Sequence, residues 1–290
     1  MDLRQIEYFL AVVDHGGVTR AAWAIRVAQP SVSQALRAME RDLGVELFHR
    51  TGRGVVLTPA GRALVEPARQ VLADASTARA AVVDVAGLAA GRLDVAAHAA
   101  LMMDPLLPAV VELRRRYPGV AVRILEPRDD EDTARLLRSG RCELALAYLP
   151  VPDAGVPVRE LGVHELYAVL PPDADVPDGP LPLKALDGVP IIGVHGPGAL
   201  RTVVVSALRD AGAAMPRGVV TRHREAVVPM VMAGAGAAFV TRWYADEAAR
   251  RGAVVRSLDP PLGCAYALLR PSGRLSPAAQ VLVGLLEPDS

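Results

Sequence analysis

Side chains that can hydrogen-bond to the edges of nucleic-acid bases are concentrated in one short segment near the N-terminus, AQPSVSQALRAME (28–40). Glutamine and serine can read base edges, and arginine suits either a guanine or a phosphate. The side chains concerned are Gln29, Ser31, Ser33, Gln34 and Arg37. Such a row is typical of a helix that enters the major groove of DNA, although a solvated helix face would show the same composition.

The polar row needs a helix to carry it, and the apolar residues of the segment have the period of one. They recur at steps of four and three from Val32 to Leu43, the stripe of a helix that lies on a core. Pro30 suits the first helical position, Ser31 and Gln34 have capping-box spacing, and the next glycine ends the pattern. We therefore expect a helix from about residue 30 to residue 43.

A shorter amphipathic pattern precedes this helix. It begins after Gly16-Gly17, with Thr19 as its expected N-cap, and ends three or four residues before the second helix. Two short helices joined so closely predict a helix-turn-helix. Segment 18–62 also holds seven arginines against three acidic residues, whereas the whole chain is balanced at 32 basic and 32 acidic residues. This local positive charge favours binding to the phosphates of DNA.

The segment ELFHRTGRGVVLTPAG (46–61) predicts a β-hairpin followed by a new helix. Arg50 and Arg53 flank the hairpin turn, from which they can reach a minor groove or the phosphate backbone. Thr58 is the expected N-cap of the new helix and Pro59 its first residue. A helix-turn-helix with a basic wing is a more specific indication of DNA binding than either part alone.

The helix after the wing carries an apolar seam of coiled-coil spacing. Leu64, Ala68, Val71, Ala75, Ala78, Val82, Val85 and Ala89 alternate steps of four and three. The seam predicts pairing with a second copy of the chain, or else packing of the helix on its own domain. Pro67 lies within the helix, and we expect a kink or a one-turn break near residues 63–67.

From Gly91 onward, strands alternate with helices, which predicts a parallel sheet with crossover helices and two lobes around a cleft. Basic side chains follow four of the predicted strands, at the ends where ligands bind in such sheets: His98, Arg128, His195 and His223. They predict a small anionic effector, with Arg128 as the best partner for a carboxylate. Metal binding, pH sensing and purely structural or surface histidines remain alternatives.

Catalytic motifs are missing from the sequence. It has no nucleophile elbow, no phosphate-binding glycine loop and no Cys/His metal box, so we expect neither an enzyme nor a cofactor nor a bound metal. The two-lobed half alone would still fit a solute-binding protein or an enzyme. Cys142 and Cys264 are far apart and are expected to be buried thiols rather than a redox pair. Without a signal peptide or membrane span, the expected location is the cytoplasm.

Residues 3–65, LRQIEYFLAVVDHGGVTRAAWAIRVAQPSVSQALRAMERDLGVELFHRTGRGVVLTPAGRALV, resemble the N-terminal region of LysR-type transcriptional regulators nearly position by position. The second half is similar to that family through LYAVLPPD and MVMAGAGAAFV. The resemblance implies a winged helix-turn-helix, a linker helix that pairs between subunits and an inducer-binding domain similar to periplasmic solute-binding proteins. With the arginines of the wing, the expected DNA contacts are Thr19, Arg20, Gln29, Pro30, Ser31, Ser33, Gln34, Arg37, Arg50 and Arg53.

The expected fold class is therefore α/β with an N-terminal all-α winged helix-turn-helix, a long linker helix and a two-lobed periplasmic-binding-protein-like (type 2) effector domain. The DNA-binding domain is placed at 1–58, the linker at 59–90 and the effector domain at 91–290. Its lobes are expected at 91–160 with 265–290, and at 161–264. The expected partners are double-stranded DNA, a small anionic effector and further copies in a homodimer or homotetramer, with no membrane.

Overall fold

The computed structural model describes residues 1–51, 54–83, 91–151, 155–194, 198–214 and 217–287. Its N-terminal part contains the helices α1 (Leu3–His15), α2 (Val18–Ala24) and α3 (Gln29–Leu43). A capping box between Asp2 and Gln5 starts α1, and left-handed glycines, Gly16 and Gly44, end α1 and α3. The predicted helix-turn-helix is confirmed.

Two predicted caps are wrong. Thr19 does not cap α2, because that helix already begins at the preceding residue. Ser31 and Gln34 form no capping box, because α3 begins at Gln29 and Ser31 is therefore inside its first turn. Pro30 lies within this first turn. Backbone N–H groups there have no partner inside the helix, so the absence of an N–H group in proline costs no hydrogen bond.

The predicted wing is present and is fastened to α3. Its strands are β1 (Phe48–Thr51) and β2 (Gly54–Leu57), which pair antiparallel. The Glu40 carboxylate of α3 accepts a hydrogen bond from the backbone N–H of Leu47, with 2.8 Å between the N and O atoms. Leu47 itself is buried, as are Phe9 and Met39 in the core of this part of the chain. The core thus fixes the wing beside α3.

The helix after the wing, α4 (Pro59–Val83), is continuous through Pro67, so the predicted one-turn break is wrong. Pro67 is exposed, so water can reach the backbone carbonyl that its ring leaves without a donor. The next residue, Ala68, is buried against the N-terminal core, which holds the helix in place. Thr58 accepts a hydrogen bond from the Gly61 N–H at 2.9 Å and caps α4 as expected.

The first lobe is built on a sheet of four strands and part of a fifth. Strand β3 pairs in parallel with β4 and β5, while β12 pairs antiparallel with β5 and with the first part of β6. Apolar side chains of α6 and α11 pack on this sheet. The elements are β3 (Gly91–Ala97), α5 (Ala99–Leu101), α6 (Leu107–Arg116), β4 (Val120–Leu125), α7 (Asp130–Arg138), β5 (Leu144–Tyr148), β6 (Val158–Leu170), β12 (Gly263–Leu269) and α11 (Pro277–Leu286).

The second lobe is built around the last part of β6, which pairs antiparallel with β10 and β11. Strands β8 and β9 pair in parallel beside it, and β8 also makes a bridge between Ile191 and Ala237. The elements are β7 (Leu181–Pro182), β8 (Ile191–Val194), α8 (Ala199–Asp210), β9 (Arg217–Thr221), α9 (Val227–Met232), β10 (Ala238–Thr241), α10 (Arg242–Arg250) and β11 (Val254–Asp259).

The sheet is only partly the parallel one that was predicted, because β3, β4 and β5 pair in parallel whereas β12 and β6 are antiparallel. Strand β6 enters the first lobe antiparallel to β12 and continues into the second, so the chain crosses between lobes along a strand. Alternating strands and helices by themselves favour parallel pairing. They therefore do not predict that β6, a strand shared with the other lobe, pairs antiparallel. Within the described ranges, no helix is both long and apolar enough to cross a membrane.

Candidate nucleic-acid interface and effector cleft

Helix α3 presents a polar face away from the N-terminal core. Val32, Leu36 and Met39 point into the core and are buried. The residues predicted to contact DNA lie on the other side, and all are exposed except Ser33, which is half-buried: Gln29, Pro30, Ser31, Ser33, Gln34 and Arg37. The structure therefore brings the predicted reading residues to one accessible surface.

Gln34 and Arg37 are free to bind DNA, whereas Gln29 already makes a hydrogen bond within the protein. Within the part of the chain that the structure describes, Gln34 and Arg37 make no side-chain hydrogen bond or ion pair. The Gln29 amide donates to the Ser33 hydroxyl at 2.8 Å, which fixes its direction and leaves its carbonyl oxygen as an acceptor. Gln34 and Arg37 need not break a protein contact before they meet DNA.

The remaining predicted DNA contacts lie at α2 and in the wing. Thr19 is exposed, and the Arg20 guanidinium donates to the carbonyl of Gly16 at 2.7 Å, so it is held close to the start of α2. Arg50 lies in β1, whose backbone is described although this side chain is not. Arg53 lies outside the described residues.

A cavity of about 500 Å³ lies between the two lobes of the second half, a size typical of small-molecule sites. Much of its wall is apolar and comes from the second lobe, including Ile192, Val204, Val227, Val228 and Phe239. Polar groups of the first lobe, from the ends of β3 and β5 and the start of α7, close the other side: His98, Arg128, Asp129, Asp130 and Tyr148. The cavity suits a ligand with an apolar body and a polar group.

Asp130 joins the two lobes across this cavity. Its Oδ2 atom accepts a hydrogen bond from the N–H of Ala199, the first residue of α8, at 2.9 Å. Its Oδ1 atom lies 3.1 Å from Nε2 of His98. Burial by itself would raise the pKa of the Asp130 carboxyl, but the His98 imidazole and the Ala199 amide outweigh it and hold the pKa below its ordinary value. Asp130 is therefore a charged carboxylate at the cavity wall.

The basic side chains predicted at the cleft are only partly brought together. His98 and Arg128 line the cavity. His223 does not: its side chain is 77% exposed and its Nδ1 atom lies 3.1 Å from the Glu225 carboxylate. His195 lies outside the described residues.

Two further arginines line the cavity, and the sequence interpretation missed both. Arg201 belongs to the first turn of α8, and Arg224 follows the predicted residue His223 directly in the chain. The Arg224 guanidinium also lies 3.7 Å from the Glu126 carboxylate of the first lobe. At this position the cavity is lined by Arg224 and not by the predicted residue His223.

A chain of polar side chains runs from the cavity wall into the first lobe, and it is buried at Tyr148 and His164 but exposed at Asp104. The hydroxyl of Tyr148 and Nδ1 of His164 are 2.8 Å apart, and Nε2 of His164 lies 3.6 Å from the Asp104 carboxylate. Burial lowers the pKa of His164, an effect that the nearby Asp104 charge offsets in part. His164 is therefore held neutral, and the chain is a fixed part of the wall beside Tyr148.

Both cysteines are buried and free, as predicted. Burial raises the pKa of Cys142 to about 12 and that of Cys264 to about 11. The two thiols belong to different apolar clusters and form no disulfide. Among the described residues, no group of three His, Cys, Asp or Glu side chains is arranged to hold a metal ion.

Two family models match the chain. The one described as "LysR substrate binding domain" matches residues 86–289, and "Bacterial regulatory helix-turn-helix protein, lysR family" matches residues 3–62. The first of these alone covers well over half of the sequence. The chain belongs to the LysR family of transcriptional regulators. This LysR family is one of regulators and not of enzymes, and the resemblance noted in the sequence is thereby confirmed.

Similar proteins agree with this LysR assignment. The HTH-type transcriptional regulator ShiR of Corynebacterium glutamicum (strain R) is 32% identical over 173 residues, which are 60% of this chain and 59% of ShiR. The nitrogen assimilation regulatory protein nac of Klebsiella aerogenes is 30% identical over 170 residues, 58% of this chain and 55% of nac. The matches thus span under two thirds of the length of these relatives.

Solved structures of LysR-type proteins show the same fold over nearly the whole chain. A full-length OxyR variant from Pseudomonas aeruginosa has a TM-score of 0.76 at 22% identity, with 99% of this chain and 94% of that chain covered. Full-length CbnR complexed with its target DNA has a TM-score of 0.68 at 20% identity, with 99% of each chain covered. At such identities the likeness concerns the fold, a helix-turn-helix part joined to a two-lobed α/β part.

Proposed function

We propose that this chain is a cytoplasmic, homo-oligomeric LysR-type regulator that binds a partly dyad-symmetric site on double-stranded DNA and responds to a small anionic effector. The proposed domains are residues 1–58 for DNA binding, 59–90 for the linker and 91–290 for the effector. Occupancy of the cleft would favour one arrangement of lobes and subunits, and so change the spacing of the paired DNA-binding heads. The effector has this influence only if it binds one arrangement better than the other.

The exposed face of α3 carries the DNA-binding part of the proposal. Gln34 and Arg37 project from a helix whose opposite face is buried and whose neighbour is a β-hairpin, the arrangement of a winged helix-turn-helix. Gln34 suits adenine and Arg37 suits guanine or a phosphate. We assign base reading to Gln34, and positioning on the backbone to the arginines of the wing.

Two measurements with the full chain test this assignment. A binding site is first selected from random duplexes, and the affinity for every single-base variant of that site is then measured. Gln34→Ala should relax the preference at one or two base pairs by about 1 to 3 kcal/mol and leave the others unchanged. Gln70→Ala, which removes an exposed glutamine of α4, is the matched control. A uniform loss of affinity for all sequences would contradict base reading by Gln34.

The charges around the interlobe cavity support an anionic effector. Of the described lining residues, three are arginines, two are aspartates and one is His98. Asp129 uses its carboxylate to cap α7, with 2.8 Å to the N–H of Asp132, so its charge is directed at its own helix. Arg128, Arg201 and Arg224 are then the stronger influence on a bound ligand, and a guanidinium binds a carboxylate or phosphate in a bidentate manner.

Thermal unfolding of the full chain tests the anionic effector. The ligands are small carboxylates, the uncharged amides of these carboxylates, and phosphorylated compounds. A specific ligand at about one hundred times its Kd adds about 2.7 kcal/mol to the free energy of unfolding and raises the midpoint. Arg128→Met should abolish the shift, and Arg209→Met, at an exposed position near the other end of α8, should not. Equal shifts with acids and with their amides would exclude an anionic effector.

The linker helix is assigned to subunit pairing. The first seam residues, Leu64 and Ala68, pack on the N-terminal core of the same chain, whereas Val71 is 40% exposed. The seam residues from Ala78 onward have no described side chains, and Val85 and Ala89 lie outside the described residues. Pairing with a second copy would therefore begin near Val71, and Val71→Glu should lower the oligomeric state measured by analytical ultracentrifugation.

A further inference from the structure

The N-terminus of α8 faces the interlobe cavity and is already bound by a negatively charged side chain. Ala199 and Arg201 of this twelve-residue helix, and its N-cap Gly198, line the cavity. Helix N-termini bind anions, because their first N–H groups lack partners and the helix dipole is positive there. In this chain the Ala199 N–H donates to the Asp130 carboxylate at 2.9 Å. The position that a ligand anion would take at α8 is filled by a carboxylate from the other lobe.

His98 gives a second, independent indication of what this end of the cavity binds. Its side chain is 8% exposed, and its Nε2 atom lies 3.1 Å from an oxygen of the Asp130 carboxylate. Both ring nitrogens, Nδ1 and Nε2, are buried, and neither has a partner with hydrogen-bond geometry among the described residues. A buried polar atom without a partner is rare in folded proteins, and since His98 lines the cavity, a polar group of a bound ligand is a natural partner for one of these nitrogens.

The charges at this end of the cavity determine which ligand group can lie there. A carboxylate placed at the α8 end would lie next to the ionised Asp130 with little water between them, which is unfavourable. A hydroxyl or ammonium group would instead donate to Asp130, and a hydrogen bond to a charged group is among the stronger ones. The ligand's own anionic group is then directed to the arginines.

The distance between these two ligand groups is limited by the chain. Arg128 and Asp130 are two residues apart, so their Cα atoms are separated by at most about 7 Å. Arg224 lies close enough to Asp130 to act on its pKa. A ligand whose anionic group meets these arginines can therefore place a hydrogen-bond donor on a nearby carbon atom against Asp130, and we take the donor to lie beside the anionic group.

We infer that Asp130 makes this cleft specific for an effector with a hydroxyl or ammonium donor beside its anionic group and an apolar body, the chemistry of a 2-hydroxy or 2-amino acid with an apolar side chain. The inference rests on the proposed anionic effector and narrows it. Asp130 is in this view the residue that determines specificity, and the arginines supply the general attraction for anions.

Two matched series of probes test the inference on the full chain by isothermal titration. The first is 4-methylpentanoate, 2-hydroxy-4-methylpentanoate, leucine and isobutylmalonate, which differ only in the group beside the carboxylate. The second is 3-phenylpropanoate, 3-phenyllactate, phenylalanine and benzylmalonate. We expect the hydroxy or amino acid of a series to bind at least about tenfold more tightly than the unsubstituted acid, and the malonate more weakly than it. Tighter binding of the amino acids than of the hydroxy acids identifies the donor as an ammonium, and the reverse order identifies a hydroxyl.

Asp130→Asn keeps an oxygen that can accept from Ala199 but removes the charge. It should abolish the preference for a donor and strengthen malonate binding. Asp187→Asn is the matched control, because Asp187 also accepts a backbone hydrogen bond, from the Ala214 N–H at 2.7 Å, and does not line the cavity. The unfolding midpoint of each variant without ligand shows that it is folded.

The outcomes separate this inference from the proposed function. Equal binding of all four members of a series, or the same order of affinities in Asp130→Asn, would overturn the role of Asp130 and leave the anionic effector standing. Equal binding of 4-methylpentanoate and its uncharged amide would overturn the anionic effector itself. Absence of binding by every probe at millimolar concentration would overturn both.

Discussion

Replacement of His164 by glutamine should remove part of the acid sensitivity of the effector half. His164 lies in β6 with a side chain that is 7% exposed, between Tyr148 of β5, Asp104 and Tyr266 of β12. Burial lowers its pKa in the folded state. Glutamine can keep a hydrogen bond to the Tyr148 hydroxyl but cannot take up a proton, so the change isolates the titration from the contact.

The sign follows from the number of protons that each state binds. Below about pH 6.5 the unfolded chain protonates this histidine, while the folded chain does not until the pH reaches its lower pKa. The contribution of His164 to stability is therefore intact above about pH 6.5 and is lost as the pH falls. From about pH 7.5 to about pH 5.5 the loss amounts to at most about 1.4 kcal/mol, the value for a group that stays neutral when folded.

Urea unfolding at a series of pH values measures this loss. The chain has two tryptophans, and Trp23 is 86% exposed, so a Trp23→Phe background leaves Trp243 of α10 to report on the effector half. The difference in free energy of unfolding between pH 7.5 and pH 5.5 should shrink in His164→Gln by up to about 1.4 kcal/mol. Tyr148→Phe, which keeps the buried histidine, should retain the full difference. An unchanged difference in His164→Gln would refute the reasoning.

Two further properties can be checked directly. Gly236→Ala should destabilise the chain strongly, because Gly236 has φ +140° and a Cβ atom there would lie 2.2 Å from the Pro190 carbonyl oxygen. In urea unfolding, Gly252→Ala, with φ +90° and no atom within 4 Å of the new Cβ, should lose only about 1 to 2 kcal/mol, and an equal loss in both variants would contradict the predicted clash. The thiols of Cys142 and Cys264 should react with a disulfide reagent at about pH 8 only after unfolding, since burial raises both pKa values, and rapid reaction of the native chain would reopen a redox role.

The N-terminal part of the fold could be predicted closely from local signals. The apolar period from Val32 to Leu43, the glycine after it and the Thr58-Pro59 start of α4 all depend on residues near in sequence, and the structure follows them. The errors were also local. Pro67 would break an isolated helix, but packing of Leu64, Ala68 and Leu72 on the core holds the helix together despite the lost hydrogen bond.

The effector half was less accessible, because its decisive contacts join residues far apart in sequence. Strand β6, for example, pairs with β12 in the first lobe and with β10 and β11 in the second, and all three partners come much later in the chain. Asp130 was not considered, since a carboxylate in the first turn of a helix is a common stabilising feature. Asp130 is distinguished only by its hydrogen bond to the backbone N–H of Ala199, which belongs to the other lobe and lies 69 residues later in the sequence.

Strand β6 has a consequence for how the lobes can move. Its thirteen residues, about 43 Å when extended, form one ladder with β12 in the first lobe and ladders with β10 and β11 in the second. Its partners change from β12 to β10 and β11 between Glu165 and Leu166, and its ladder with β12 has a bulge opposite Tyr266 and Ala267, so a change of lobe angle can be taken up where these ladders meet. Substitutions that stiffen or loosen the twist of β6 should therefore alter the amplitude of the response without any change in the effector's own contacts.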